Sequence, residues 1–319
     1  MAHIGRRVSR WATHLAVIAV TLGGLVTVQV PTAAAQESPP HPYIRISPSQ
    51  SSTSHPSRTA TAWCNTNDRV VGGGGWAGAG SRGGLTLTHV MPVEGFLPGQ
   101  RGYQVAAAET GAGRTDSWGI EAYAICLADP NNRLDVTTVR VESGTVPGSK
   151  ATLVAPCPAG KVVLGTGAQV KGGNGGVMLQ VSGAWNTGDR AGAQAKEVPG
   201  GYSGNWSLTS FAICAKSPSG YAVHSWRTDQ GAGPNGNSHV EDSWRSASRN
   251  CPAGTFLYGG GATLPSDAPA NVALTAIIPG PVINNFPPNN VTVSAEESPG
   301  TSAGWSLTAQ AICAATPGT

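Results

Sequence analysis

The sequence predicts an all-β protein made of three homologous repeats, and three observations support this. Charged residues make up only 12% of the chain, and 44 of its 319 residues are glycine. Runs rich in valine and threonine lie between Gly-rich turns, which is typical of β-strands. No segment shows apolar residues repeating with the period of a helix. One nine-residue segment occurs three times, at Trp118–Cys126, Trp206–Cys214 and Trp305–Cys313.

The first 35 residues are typical of a secretory signal peptide. Arginines precede an apolar run, and Ala33–Ala35 supply small residues for cleavage. The run is short for a membrane span and no basic stop sequence follows it. Residues 36–57 are rich in serine and proline, so we interpret them as a flexible leader with one strand-like island at Tyr43–Ile46. We therefore expect a secreted, extracellular protein without a membrane span after processing.

Removing the signal peptide changes the charge balance. The full chain has 20 Lys+Arg and 17 Asp+Glu, and the first 35 residues take three arginines and no acid, which leaves 17 of each. A formally neutral chain has little overall field to attract nucleic acid. We therefore expect no nucleic-acid partner.

Six cysteines mark the repeats. Each repeat has an early and a late cysteine, and a glycine cluster follows each early one at Gly72–Gly75, Gly165–Gly167 and Gly259–Gly261. We place the repeats at residues 58–128, 136–216 and 221–317. Six cysteines allow 15 pairings. Closing each repeat on itself predicts the disulfides Cys64–Cys126, Cys157–Cys214 and Cys251–Cys313, whereas a cyclic pairing between neighbouring repeats would require a ring.

The repeated segment is predicted to be a buried closing strand. Side chains alternate faces along a strand. Trp305, Leu307, Ala309, Ala311 and Cys313 therefore share one face, as do their counterparts in the other two repeats. We interpret Trp118, Trp206 and Trp305 as structural core residues. A glutamate precedes each tryptophan by nine residues, at Glu109, Glu197 and Glu296.

Two arrangements of the repeats fit these patterns. In the first, the repeats form a pseudo-threefold β-prism, each contributing one sheet, and the short linkers favour it. In the second, the repeats are three small β-sandwich units in tandem. An immunoglobulin domain is excluded because its tyrosine two residues before the second cysteine is alanine in every repeat.

The pattern C-P-A-G, G-G-G-A and W-S-L-T-A-Q-A-I-C resembles a repeat of secreted proteins from Gram-positive, high-GC bacteria. More distantly, three repeats with such an opening, C-P-A-G in the second and third and the departing C-N-T-N in the first, each followed by a glycine cluster, resemble the vitelline membrane outer layer proteins. That second resemblance implies a β-prism of three Greek-key sheets, and it implies no activity.

No arrangement of residues indicates catalysis or a metal. The sequence lacks H-E-x-x-H, G-x-S-x-G and closely spaced cysteines, so we predict no catalytic residue, metal or cofactor. The three glutamates are related by the repeat and therefore do not form a pair with two different roles. His89 replaces an apolar residue of the other repeats, and we interpret it as a hydrogen-bonded strand residue.

Unrepeated aromatic residues are the predicted ligand-binding residues, namely Trp185, Trp76, Trp226, Trp244 and Tyr202. The scaffold does not account for them, and exposed rings on a rigid β-scaffold are able to hold sugars. The sequence therefore favours a non-enzymatic protein that binds a surface ligand, with a glycan or cell-surface partner. The alternatives are a structural or protein-interaction module of the cell envelope or extracellular matrix, and a hydrolase with a dispersed site.

Overall fold

The structure is a computed structural model that describes residues 41–52, 55–79, 83–111, 113–148, 150, 152–230, 233, 235–241, 243–298 and 304–316. The predicted signal peptide lies outside these residues. Ser38–Thr319 form one compact unit. The described residues form twenty β-strands and one short 3-10 helix at Thr228–Gln230, with no α-helix.

The strands follow the three repeats. The first repeat contains β1 (Tyr43–Ile46), β2 (Gln50–Ser52), β3 (Ser57–Trp63), β4 (Arg69–Ala79), β5 (Leu85–Glu94), β6 (Arg101–Glu109) and β7 (Trp118–Leu127). The second contains β8 (Thr137–Glu142), β9 (Leu153–Pro156), β10 (Lys161–Lys171), β11 (Val177–Ala184), β12 (Arg190–Glu197) and β13 (Ser207–Lys216). The third contains β14 (Ala222–Arg227), β15 (Gly236–Glu241), β16 (Trp244–Asn250), β17 (Phe256–Thr263), β18 (Val272–Gly280), β19 (Asn290–Glu297) and β20 (Thr308–Ala314).

Three sheets form the molecule, and each combines strands of two repeats. Sheet A has the order β1-β7-β4-β18-β19-β16-β15, with β2 also paired to β7. Sheet B has the order β3-β6-β5-β10-β13-β8, and sheet C has the order β14-β20-β17-β11-β12-β9. Every repeat gives its first, closing and glycine-rich strands to one sheet and, apart from β2, its other strands to the next sheet.

The junctions between repeats obey a pseudo-threefold rotation. Trp76 pairs with Ala276 between β4 and β18, Gln169 with His89 between β10 and β5, and Thr263 with Val181 between β17 and β11. All three pairs join equivalent positions of the repeats. The pseudo-threefold, β-prism-like assembly is therefore confirmed, and the tandem alternative is wrong because the repeats share sheets. The expectation that each repeat forms its own sheet is also wrong.

The amino-terminal leader is shorter than predicted. Tyr43–Ile46, which we placed in a flexible leader over residues 36–57, form β1 and pair with β7. Tyr43 and Ile44 are fully buried. The first repeat therefore begins at β1, which is equivalent to β8 and β14. The strand-like island was recognised, but its assignment to a flexible leader was wrong because the surrounding serines and prolines gave no sign that it pairs with the closing strand of the first repeat.

The closing strands provide the core, as predicted. Trp118 is 1% exposed, Trp206 0% and Trp305 4%. The small residues on the same face of each closing strand are also buried. Each closing strand pairs with the glycine-rich strand of its own repeat. The three predicted disulfides are present and take all six cysteines.

The glycine clusters meet at the pseudo-threefold axis. A Cβ added to Gly72 would lie 2.3 Å from the carbonyl oxygen of Tyr258, one on Gly165 would lie 2.4 Å from that of Val71, and one on Gly259 would lie 2.2 Å from that of Leu164. These contacts form a closed cycle, because each glycine approaches the backbone of a different repeat. Only glycine allows the three backbones to approach so closely.

Candidate functional site

A repeated polar cluster lies at one end of the sheets. The indole N–H of Trp118 donates a hydrogen bond to Glu109 over 3.0 Å, and that of Trp206 donates to Glu197 over 2.8 Å. This bond from Trp206 is the main reason why the pKa of Glu197 lies below its ordinary value. These contacts satisfy buried indole donors, so the clusters serve the fold.

The third member of this cluster corrects the sequence alignment. Trp305 donates to Glu297 over 3.1 Å, and Glu297 holds the strand position of Glu109 and Glu197. The prediction of Glu296 was wrong because the loop before Trp305 is one residue shorter, and adjacent strand residues face opposite sides. Glu296 instead accepts a hydrogen bond of 2.6 Å from the Gly83 backbone N–H of another repeat.

A cation covers each of these tryptophans. Arg58 lies 5.2 Å from the ring centre of Trp118, Lys150 lies 4.0 Å from that of Trp206, and Arg245 lies 4.6 Å from that of Trp305. Sequence reasoning missed these cations although a signal was present, since Arg58 and Arg245 each lie six residues before the early cysteine of their repeat and Lys150 lies seven before it. The rings are therefore enclosed and do not offer a platform to a ligand.

The outer faces of the three sheets carry different side chains at positions that are equivalent in the repeats. One position carries Tyr123 in sheet A, Phe211 in sheet B and Gln310 in sheet C, as the pairing registers show. A second position, next to the repeat junction, carries Trp76, Gln169 and Thr263 in the same order. Any binding site on these faces is therefore specific to one sheet.

The outer face of sheet C has a cleft of about 550 Å³ with a wholly polar lining. Its lining residues come from three strands, the short 3-10 helix and the turn after β11: Asn186, Ser225, Arg227, Asp229, Thr263, Thr308 and Gln310. Arg227 and Asp229 form an ion pair with two hydrogen bonds. Hydroxyl, amide, guanidinium and carboxylate groups together offer both donors and acceptors to a ligand rich in hydroxyls.

Gln310 forms the buried part of this cleft. Its side chain is held because Nε2 donates to the carbonyl oxygen of Ala184 over 2.8 Å. Its Oε1 is buried, and no residue that the structure describes donates a hydrogen bond to it. A buried acceptor without a donor costs about 1–3 kcal/mol. This oxygen lies against Gly183 and Gly261, so Gln310 closes the floor of the cleft.

Trp185 lies on the same outer face, directly before Asn186. Its side chain is 46% exposed. The ring packs over Gly192 of β12, where an added Cβ would lie 3.2 Å from the indole Nε1. Arg190 lies 5.3 Å from the centre of the ring. Arg190 also binds Asp189, and this contact holds the pKa of the Asp189 carboxyl well below its ordinary value. The ring is thus fixed at the strand end where the sequence placed it.

The other predicted aromatic residues do not join Trp185. Trp76 is 37% exposed on the outer face of sheet A, opposite Glu121 of β7. Trp226 packs on Gly236 of β15, and the ring of Trp244 packs at a tilt against that of His239 in the hairpin of β15 and β16. Tyr202 donates to the carbonyl oxygen of Gly172 over 2.7 Å. The five aromatics therefore do not form one site.

The outer face of sheet B carries a partly buried histidine. Nδ1 of His89 lies 2.9 Å from the hydroxyl of Thr88, and burial lowers the pKa of this imidazole to about 4. His89 is therefore neutral near pH 7. The hydrogen bond and the partial burial match the predicted strand role.

A second cleft, of about 600 Å³, lies between the β5–β6 hairpin and β8. Its polar lining includes Arg69, Arg101 and Arg140 opposite the single carboxylate of Glu94, and its remaining lining includes valines and a proline. It differs from the sheet C cleft in that cations and apolar side chains dominate it.

The fold and these faces define the molecule as a disulfide-linked all-β repeat protein with three non-equivalent outer faces. Among the described residues, no helix is long and apolar enough to cross a membrane, and no group of three His, Cys, Asp or Glu side chains is placed to hold a metal. The chain matches no protein-family model, and no curated protein matches it.

Proposed function

We propose that this protein is an extracellular carbohydrate-binding protein without catalytic activity and that the outer face of sheet C holds the glycan. The observation that carries the proposal is the wholly polar cleft with an exposed, fixed tryptophan on the same face. Planar polar side chains that both donate and accept suit the hydroxyl groups of a sugar, and an aromatic ring suits its apolar face.

The scaffold supports this proposal because it is rigid where the site lies. The cleft residues of β14, β17 and β20 belong to strands paired along their length, and a disulfide joins Cys251 before β17 to Cys313 in β20. Side chains held in place before binding lose little freedom when a ligand arrives. Three disulfides and the sequence pattern of a signal peptide agree with an extracellular protein.

A soluble-glycan array tests the proposal directly. The mature protein is expected to bind at least one glycan class, and Trp185→Ala is expected to weaken that binding about tenfold or more, on the scale of roughly 1–3 kcal/mol for aromatic stacking. Trp76→Ala is the matched control, because this ring is similarly exposed on the outer face of another sheet, and it should leave binding unchanged.

Two outcomes would reject the proposal. If no glycan binds, the alternative of a structural or protein-interaction module gains support. If glycan binds but Trp185→Ala and Trp76→Ala behave alike, the site is not on sheet C. A parallel hydrolase screen with the same glycans addresses the alternative of an enzyme with a dispersed site.

A further inference from the structure

Most of the large apolar side chains that the described residues leave exposed lie in two hairpin turns. Phe96 and Leu97 lie in the turn between β5 and β6, with Phe96 fully exposed and Leu97 64% exposed. Val282, Ile283 and Phe286, which are 42%, 52% and 48% exposed, lie in the turn between β18 and β19. We name these two turns the apolar tips, residues 95–100 and 281–289.

The two apolar tips lie at the same end of the molecule. They are equivalent in the repeat, so the pseudo-threefold rotation places them at one height along its axis. Equivalent hydrogen bonds anchor their roots, since Cys64 N–H donates to the carbonyl oxygen of Arg101 over 2.9 Å and Cys251 N–H donates to that of Asn289 over 2.7 Å. The repeated glutamates lie at the opposite end of the same hairpins.

Arginines accompany both tips. Arg101 follows the first tip directly, and the cleft behind that tip adds Arg69 and Arg140 beside Glu94, with Arg140 also paired to Glu142 over 3.2 Å. At the second tip, which contains no charged residue, Arg45 donates from Nη1 to Oδ1 of Asn285 over 3.2 Å. Exposed apolar side chains beside cations are the combination that binds the boundary of an anionic bilayer.

We propose that this end of the protein docks on an anionic lipid surface, with the apolar tips inserted among the headgroups. The two tips are separate projections at one height and do not form a continuous patch. A planar bilayer is able to meet both at once, while arginines beside the tips meet the lipid phosphates. The third equivalent turn, residues 185–189, is anchored by the same kind of bond from Cys157 N–H and carries Trp185 and Asn186, so the docking end borders the proposed glycan site on sheet C.

Sedimentation with lipid vesicles tests this docking. The mature protein should sediment with vesicles of phosphatidylglycerol and phosphatidylcholine and far less with phosphatidylcholine alone, and raised salt should weaken the binding. The double variants Phe96→Ser/Leu97→Ser and Val282→Ser/Ile283→Ser should each reduce vesicle affinity about tenfold or more. Val146→Ser/Val240→Ser, which changes exposed valines at the opposite end, is the matched control and should sediment as the parent does.

Several results would overturn the docking. The first is that the parent protein does not sediment with anionic vesicles. The second is that the tip variants bind vesicles as strongly as the parent does. The third is that the control variant loses as much vesicle binding as the tip variants do. If the parent self-associates on a sizing column and the tip variants do not, the tips form an interface between copies of this chain instead. Because the vesicles contain no sugar, this test succeeds or fails independently of glycan binding.

Discussion

At the scale of single residues, the tryptophans divide into two groups with opposite roles. Trp206 is fully buried, with its N–H bound to Glu197 and Lys150 over its ring. Trp185 is nearly half exposed, and its ring rests on its own hairpin. The residues that recur in every repeat are therefore explained by folding, and the residues that do not recur are free to bind a ligand.

Replacing each of these tryptophans should separate stability from binding. Trp206→Ala is expected to lower the free energy of unfolding by roughly 3–5 kcal/mol, because it removes a large buried side chain together with one of the hydrogen-bond donors of Glu197. Trp185→Ala should leave the melting temperature nearly unchanged. Thermal denaturation followed by circular dichroism measures both, and a collapse of the Trp185 variant would contradict the division.

His89 should make the protein sensitive to mild acid. Its folded-state pKa of about 4 lies below the ordinary value of 6.5, so between these values the unfolded chain binds a proton that the folded chain does not. Stability should therefore fall as the pH drops from about 6.5 towards 4, by up to about 3 kcal/mol in total.

The matched variant for this effect is His89→Gln, which keeps a polar side chain of similar size. Urea denaturation at pH 7 and pH 5 should show a smaller loss of stability in the variant than in the parent protein. Equal losses would mean that His89 is not responsible for the acid sensitivity.

At the scale of strands, the glycine-rich segments determine how the repeats fit together. Gly72, Gly165 and Gly259 follow equivalent register shifts in β4, β10 and β17, and each contacts the backbone of another repeat. The sequence indicated close packing of sheets at these clusters. It could not indicate the axis, because a local pattern does not state which distant backbone approaches a glycine.

Gly165→Ala should therefore be costly. Its Cβ would lie 2.4 Å from one backbone oxygen, which cannot move without displacing a second repeat, so we expect a loss of about 2–3 kcal/mol or more. Gly144→Ala is the control, since no atom lies within 4 Å of the added Cβ. Chemical denaturation of both variants is the measurement, and similar stabilities would contradict the close contact at the axis.

Strand identity was easier to predict than strand partnership. The closing strands, the paired hairpins and the disulfides followed from alternation and from the cysteine spacing of each repeat. The place of β1 in the first repeat was missed because its equivalents β8 and β14 share no motif with it, and Glu297 was missed because a fixed spacing cannot reveal a one-residue deletion. The cleft was missed because Asn186, Thr263 and Gln310 meet only after strands from two repeats pair.

At the scale of the whole molecule, no repeat has a complete sheet of its own. Repeat two gives β8, β10 and β13 to sheet B and β9, β11 and β12 to sheet C. A fragment of residues 136–216 would lose the pairing of β10 with β5 and of β11 with β17, together with the axial contacts of Gly165. We therefore expect the fragment not to fold alone.

Nuclear magnetic resonance of that fragment is the check. It should give poorly dispersed amide signals and no cooperative unfolding, whereas residues 41–316 should unfold in one transition. A fragment that folds by itself would support independent units and contradict the shared sheets.

The central proposal is that only one of the three sheets carries a glycan site, and that this site is formed by residues that do not recur in the repeats. Isothermal titration calorimetry of the mature protein with its best array glycan tests this most directly, because it counts the sites. We expect one glycan per chain, with binding lost in Trp185→Ala. A stoichiometry of three glycans per chain would contradict the claim, since it would assign binding to the residues that the repeats share.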